Sequence, residues 1–156
     1  MTKTYKKEFI YNGAGFPVIL VHLPFKKVAG EEFLDVDLHK LDLFIAKLVL
    51  MKAALLSGKE IRFLRTLGRE SLQSFGNNFD IAASTVKNWE DTGNINSMID
   101  FVIRNTVATK LQLLHNLSSN FLFHRSLLQL AKSRPSLEEY KIPYLSGDSS
   151  FLNDSN

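Results

Sequence analysis

The chain has 156 residues, 45% of them hydrophobic and none of them cysteine, and its formal net charge at pH 7 is +3. This hydrophobic fraction supports a compact core and argues against a disordered chain. The absence of cysteine excludes disulfides, thiolate metal sites and cysteine nucleophiles. The small positive charge permits nucleic-acid binding without requiring it. We find no signal-like N-terminus, and charges interrupt the apolar stretch 41–56, so we expect a cytoplasmic protein with no membrane partner.

The first segment, 1–36, is predicted to form a β-hairpin arm. β-Branched and aromatic residues are concentrated at 8–11 and 16–23, and the turn-forming sequence Asn-Gly-Ala-Gly lies between them. A third extended piece at 32–36 is left open. Because proline cannot donate a backbone hydrogen bond, Pro17 and Pro24 indicate strand ends or an edge strand.

Helical patterns dominate the rest of the chain. Asp37 is a predicted N-cap for a helix that runs to about residue 55. The apolar stretch 96–116 predicts a long helix, either as core or as a dimer seam, and we favour a mixed role. Residues 117–146 are predicted to form a C-terminal helical extension, and a disordered tail is expected at 147–156. The domain 37–116 therefore lies between an arm and an extension.

The segment 57–91 has the pattern of a helix-turn-helix motif. Ser57 and Glu60 form a capping box, Gly68 ends the first helix, and Ser71 caps the second. The third helix is expected at 82–91. Asp80 stands in the turn, where a positive φ is needed that Asp tolerates better than most residues. The expected inward apolar residues are Phe75, Phe79, Ile81, Val86 and Trp89.

The outer face of the third helix is the candidate DNA-binding surface. Asn88 is able to pair with adenine, Lys87 with guanine or phosphate, and Ser84 with either kind of hydrogen-bonding group, while Ala83 suits a thymine methyl. Amides at the start of the second helix are expected to bind a phosphate. The predicted DNA-binding residues are Ser71, Leu72, Ala83, Ser84, Thr85, Lys87 and Asn88.

Several of these residues carry a resemblance to a known family. The run Leu-Ser-Gly-Lys-Glu-Ile-Arg-Phe-Leu-Arg at 56–65, with Ser-Thr-Val at 84–86 and Trp-Glu at 89–90, resembles the Xre/Cro-repressor type of helix-turn-helix. Its first seven residues are similar to the MqsA-type antitoxin branch, as is the sequence at 11–18. The resemblance implies a five-helical domain that binds operator DNA as a homodimer and represses transcription, often of an operon with a toxin gene.

The resemblance has clear departures. Leu72 stands where many relatives have a phosphate-binding Gln, Asp80 replaces a turn Gly, and Ala83 replaces a polar or basic base reader. The zinc-binding cysteines of the antitoxin branch are missing, so no metal or cofactor is expected.

The fold class predicted is mainly α, a five-helix Xre-type helix-turn-helix domain with an N-terminal β-hairpin arm and C-terminal helices. We expect a homodimeric transcriptional regulator that binds duplex DNA. The alternative is a protein-interaction module that binds a partner such as a toxin, with a vestigial helix-turn-helix. An enzyme is not expected, because the sequence shows no nucleophile, base and acid set and its histidines lack ligand spacing.

Overall fold

The structure is a computed structural model that describes residues 3–113 and 140–143. Within these residues the chain is mainly helical, with five α-helices that follow an N-terminal hairpin region. Residues 3–44 and 140–143 belong to one compact unit and residues 45–113 to another. The boundary between the two falls inside the first helix.

The N-terminal hairpin is confirmed and is part of a larger sheet. Strand β1 (Lys3–Tyr11) pairs antiparallel with β2 (Val18–Val28), and β2 pairs antiparallel with β3 (Glu31–Leu34). In the turn, the Gly15 amide donates to the Asn12 carbonyl at 3.0 Å, and Gly15 has a φ of 83°. The open question about a third extended piece is answered by β3.

Pro24 corrects the expectation of a strand end or an edge. It lies inside β2, which has partners along both sides. The Pro24 carbonyl accepts from the Asp35 amide at 2.9 Å, just beyond the last ladder pair of β3. In an antiparallel pair, the carbonyl and the amide of one residue face the same partner. The missing N–H of Pro24 therefore points to the end of β3, just beyond its last paired residue. The proline removes no hydrogen bond of the β2–β3 ladder there, so a central strand tolerates it.

Strand β4 (Tyr140–Pro143) differs from the predicted C-terminal helical extension. It runs parallel to the first part of β2, with Val18 opposite Tyr140. Because β3 pairs only with residues 25–28, the same edge of β2 has unpaired backbone groups at 18–21 that a fourth strand satisfies. The remainder of the predicted extension and the predicted tail at 147–156 lie outside the described residues.

The first helix, α1 (Leu38–Met51), begins as predicted. The Asp37 carboxylate accepts from the amides of His39 and Lys40 at 3.0 and 3.2 Å. The Tyr11 hydroxyl donates to the Asp42 carboxylate at 2.8 Å and so ties the hairpin to this helix. Burial, with a smaller effect of Asp42, raises the pKa of Tyr11 to about 12. The helix ends four residues before the predicted residue 55.

Four further helices complete the second unit. They are α2 (Gly58–Leu67), α3 (Leu72–Asn77), α4 (Ala83–Thr92) and α5 (Ser97–Lys110). Their inward side chains and those of the end of α1 form one apolar core. Its fully buried members include Ile45, Val49, Leu50, Leu56, Ile61, Leu64, Phe75, Val86 and Ile103. Helix α3 ends at Asn77, so Phe79 lies in the turn that follows it.

Candidate functional site

The predicted capping box fixes the start of α2. Ser57 Oγ accepts from the Glu60 amide, and the Glu60 carboxylate accepts from the Ser57 amide at 2.7 Å. The same buried carboxylate also pairs with Lys52 Nζ. Burial lowers the pKa of Lys52, against the attraction of Glu60, because an ammonium loses hydration when it is enclosed. Glu60 therefore anchors both the cap and a buried cation.

Gly58 sets how closely α2 approaches α4. A Cβ atom on this glycine would lie 2.1 Å from the carbonyl oxygen of Glu90, far inside van der Waals contact. A side chain at this position would push the two helices apart. The Leu-Ser-Gly sequence at the start of α2 thus combines a cap with a point of close helix contact.

The connection between α3 and α4 has the predicted turn conformation. Asp80 has a φ of 58°, the left-handed region that Asp tolerates. Gly76 allows the turn to fold back on α3, since a Cβ there would lie 2.6 Å from the carbonyl oxygen of Ile81. Val86 of α4 is also near, with its Cγ2 atom 3.4 Å from the position of such a Cβ.

Aromatic packing holds α4 against α3. The ring centroids of Phe75 and Phe79 are 5.2 Å apart, and those of Phe79 and Trp89 are 6.3 Å apart, both edge to face. Phe75 and Val86 are fully buried, and Trp89 is 8% exposed. The expectation that Trp89 is a core residue is confirmed.

A buried carboxylate joins α4 to α2. The Glu90 side chain is 1% exposed and accepts from Arg65 Nε at 2.5 Å and from Arg62 Nε at 3.1 Å. Arg65 Nη1 also donates to the Glu70 carbonyl at 2.7 Å. A negative charge in the last turn of a helix opposes the helix dipole. The two arginines of α2 supply the compensating charge.

The predicted DNA-binding residues fall into two groups. Ser84, Lys87 and Asn88 are exposed, and their i, i+3, i+4 spacing places them on one face of α4. Ala83 and Thr85, in the first turn of α4, are partly buried.

The other predicted group lies at the start of α3. Leu72 is partly buried, whereas Ser71 is exposed. Ser71 Oγ accepts from the Ser74 amide at 3.0 Å as the N-cap of this helix. The confirmed role of Ser71 is therefore to cap α3.

An acidic side chain completes the exposed face of α4. Lys87 Nζ lies 2.5 and 2.7 Å from the two Asp91 carboxylate oxygens, and Arg62 Nη2 lies 3.2 Å from one of them. All three side chains are about half exposed, at 50%, 48% and 52% for Lys87, Asp91 and Arg62. The hydrogen bond from Lys87, with smaller help from Arg62, holds the pKa of Asp91 below its usual value.

Arg62, Glu90 and Asp91 were not among the residues predicted for this site. The Lys87 and Asp91 pair was detectable, because residues four apart are neighbours on a helix. The contact between Arg62 and Glu90 spans 28 residues of sequence, and only the packing of α2 on α4 brings them together.

Helix α5 has a core side and an apolar exposed side. Ile103 and Val107 are buried, whereas Met98, Phe101 and Val102 are 66%, 38% and 39% exposed. The spacing of these three residues gives one continuous stripe, which we call the α5 stripe. The core part of the predicted mixed role is confirmed, and the dimer seam stays a prediction.

Within residues 3–113 and 140–143, no cluster of three or more His, Cys, Asp or Glu side chains is arranged to hold a metal ion. No helix in that part of the chain has the length and apolar character needed to cross a bilayer. Comparison of the chain with protein-family profiles, with curated proteins and with solved structures finds no match.

Proposed function

We propose that this protein is a homodimeric, sequence-specific DNA-binding regulator of transcription that places α4 in the major groove. The observation that carries the proposal is the exposed polar face of Ser84, Lys87 and Asn88, on a helix held firmly by α2 and α3. A recognition helix needs both properties, since base contacts demand a defined orientation. The short α3, the turn at Asp80 and the following α4 have the order and spacing of a helix-turn-helix.

Each exposed residue has a chemically suitable target. Asn88 pairs with adenine through its amide, Lys87 donates to guanine or phosphate, and Ser84 both donates and accepts. Ala83 and Thr85, at the start of α4, offer methyl groups to thymine. The first amides of α3, at Ser71 and Leu72, face the DNA backbone in this arrangement.

Two further cations are available for phosphate contacts. Lys59 and Arg69 are exposed and form no ion pair within the described part of the chain. Affinity that depends on such contacts falls steeply as salt rises, because bound phosphates release counterions. We therefore expect binding to weaken strongly between low and physiological salt.

The homodimer is the arrangement that matches two half-sites about 34 Å apart. The α5 stripe supplies an uncharged apolar surface for this contact, so a two-fold related copy buries no unpaired charge there. The resemblance noted above implies repression of transcription, often of an operon with a toxin gene.

The test is the selection of bound sequences from random duplex DNA, followed by binding assays with the enriched site. Lys87→Glu combined with Asn88→Ala should abolish the shift of that site, because each good base contact contributes about 1–3 kcal/mol. Lys27→Glu is the matched control, since Lys27 is exposed in the other unit and the charge change is the same. Helicity should be equal in all three proteins. Unchanged binding by the double variant would refute the assignment of α4 as the recognition helix.

A protein-interaction module is the second candidate function. The exposed α5 stripe and the pairing of Lys87 with Asp91 favour it, because the first suits a protein partner and the second reduces the positive charge of α4. This function predicts no enriched DNA sequence and a monomeric mass in solution. A toxin-like reading frame next to the gene would identify the partner to test.

A further inference from the structure

Two cations from different helices converge on one exposed carboxylate. Lys87 of α4 and Arg62 of α2 both donate to Asp91 Oδ1, at 2.5 and 3.2 Å. Arg62 also donates through Nε to the buried Glu90, at 3.1 Å, and this bond orients its guanidinium. The two cations are thus held at one point, with an anion seated between them.

An anion from solvent is able to displace the Asp91 carboxylate from these two cations. Asp91 is about half exposed, so a ligand from solvent reaches both cations without opening the core. Carboxylate and phosphodiester groups carry the same single charge and accept the same charge-assisted hydrogen bonds from Arg and Lys. Asp91 also stands in the last turn of α4, where the helix dipole disfavours a negative charge.

We propose that Arg62 and Lys87 form a binding pair for a DNA backbone phosphate, and that Asp91 occupies this pair in the free protein. The proposal rests on the proposed DNA-binding function. Lys87 lies on the same face of α4 as Ser84 and Asn88, so a duplex that meets those residues brings a phosphate to the pair. Asp91 then acts as an internal competitor that lowers sequence-independent binding, and only a site with good base contacts displaces it.

The experiment compares Asp91→Asn with the matched variant Asp80→Asn in the full chain. Asp80 is also exposed in the same unit, forms no ion pair within the described residues, and has a positive φ that Asn accepts. Both variants remove one negative charge, but only Asp91→Asn releases Arg62 and Lys87. Retention on immobilised heparin and binding to a random-sequence duplex are measured over a series of salt concentrations.

We expect Asp91→Asn to leave heparin at higher salt than Asp80→Asn. Its slope of log affinity against log salt for the duplex should be steeper by about 0.9 to 1.8, as for one or two additional phosphate contacts. Adding Arg62→Gln and Lys87→Gln to Asp91→Asn should reverse both effects. Far-UV circular dichroism checks that each variant is folded.

The outcomes separate this proposal from the proposed function. Equal behaviour of the two Asn variants, on heparin and on the duplex, would overturn the binding pair even if the wild-type chain binds DNA. A heparin effect without duplex binding by any variant would overturn both DNA phosphate as the ligand and the regulator function.

Discussion

Arg104 offers the sharpest test of how the second unit is held together. Arg104 belongs to α5, and its buried guanidinium lies against the end of α1. It contacts Asp100, one turn earlier in α5, through Nε at 2.7 Å and through Nη2 at 3.2 Å. It also donates at 2.7 to 3.1 Å to four backbone carbonyls. These belong to Val49, Leu50, Lys52 and Ala54. Arg104 therefore caps the C-terminus of α1 from another helix, which explains why α1 ends at Met51.

Replacing Arg104 by Met keeps much of the side-chain volume and removes every donor. The Asp100 carboxylate then loses its paired guanidinium, and among the described residues the Leu56 amide, at 2.8 Å, is the donor that remains. Removing one partner of a buried ion pair lowers stability by about 3–5 kcal/mol. Carbonyls left without a donor add to this loss unless water reaches them. A domain of this size has a total stability of about 5–15 kcal/mol, so the variant should be close to unfolding.

Urea unfolding followed by fluorescence is a direct assay, because Trp89 is the single tryptophan of the chain and is buried in this unit. Arg104→Lys keeps the charge but loses the planar fork, so an intermediate loss is expected. Asp100→Leu added to Arg104→Met should recover part of the stability, since it removes the unpaired buried charge. A loss below about 1 kcal/mol for Arg104→Met would contradict this prediction, because breaking a buried ion pair is expected to have a larger effect.

Three other changes have predicted results. Gly58→Ala should lower the free energy of unfolding by about 1–3 kcal/mol, because the added Cβ clashes with a backbone carbonyl of α4. Gly68→Ala is the control and should not destabilise the fold, because its Cβ would have no contact under 3.4 Å. Urea unfolding of both variants measures the difference in the free energy of unfolding. Ala82→Ser should stabilise the fold by about 0.5–2 kcal/mol, because Ala82 has N-cap geometry without a side-chain cap; a midpoint that does not rise would contradict this. Tyr11 has a pKa of about 12 against the ordinary value of 10.0, so the folded state holds its proton more tightly than the unfolded state, and stability should fall as pH rises between these values. Tyr11→Phe should reduce this pH slope, and an absorbance titration at alkaline pH should lose one late-ionising tyrosine.

Local chemistry made several elements predictable. The capping box at Ser57 and Glu60 and the caps at Asp37 and Ser71 depend on residues three or fewer positions apart, so their pattern is visible in the sequence. The positive φ of Asp80 follows from the same kind of argument, because a tight turn restricts which residues fit.

Position alone misled the reading of Pro24. A proline excludes one hydrogen bond on one side of a strand, and whether that side is needed depends on where the neighbouring strand ends. Because β3 ends at Leu34, the ladder needs no donor from Pro24 on that side. No pattern of residues within β2 indicates where β3 ends.

The helical character, the helix starts and the turn between α3 and α4 are readable from the residues alone, because these depend on propensity, capping and spacing over a few residues. The partners of the charged residues and of strand β4 follow instead from the tertiary structure. Arg62 contacts Glu90 across 28 positions of sequence, and Arg104 contacts Leu50 at the end of α1 across 54. Strand β4 pairs with β2 across more than 100 positions. Such contacts follow from how whole elements pack, and a long-range ion pair has no periodic signature. The electrostatic character of the candidate DNA-binding face is therefore a property of the fold.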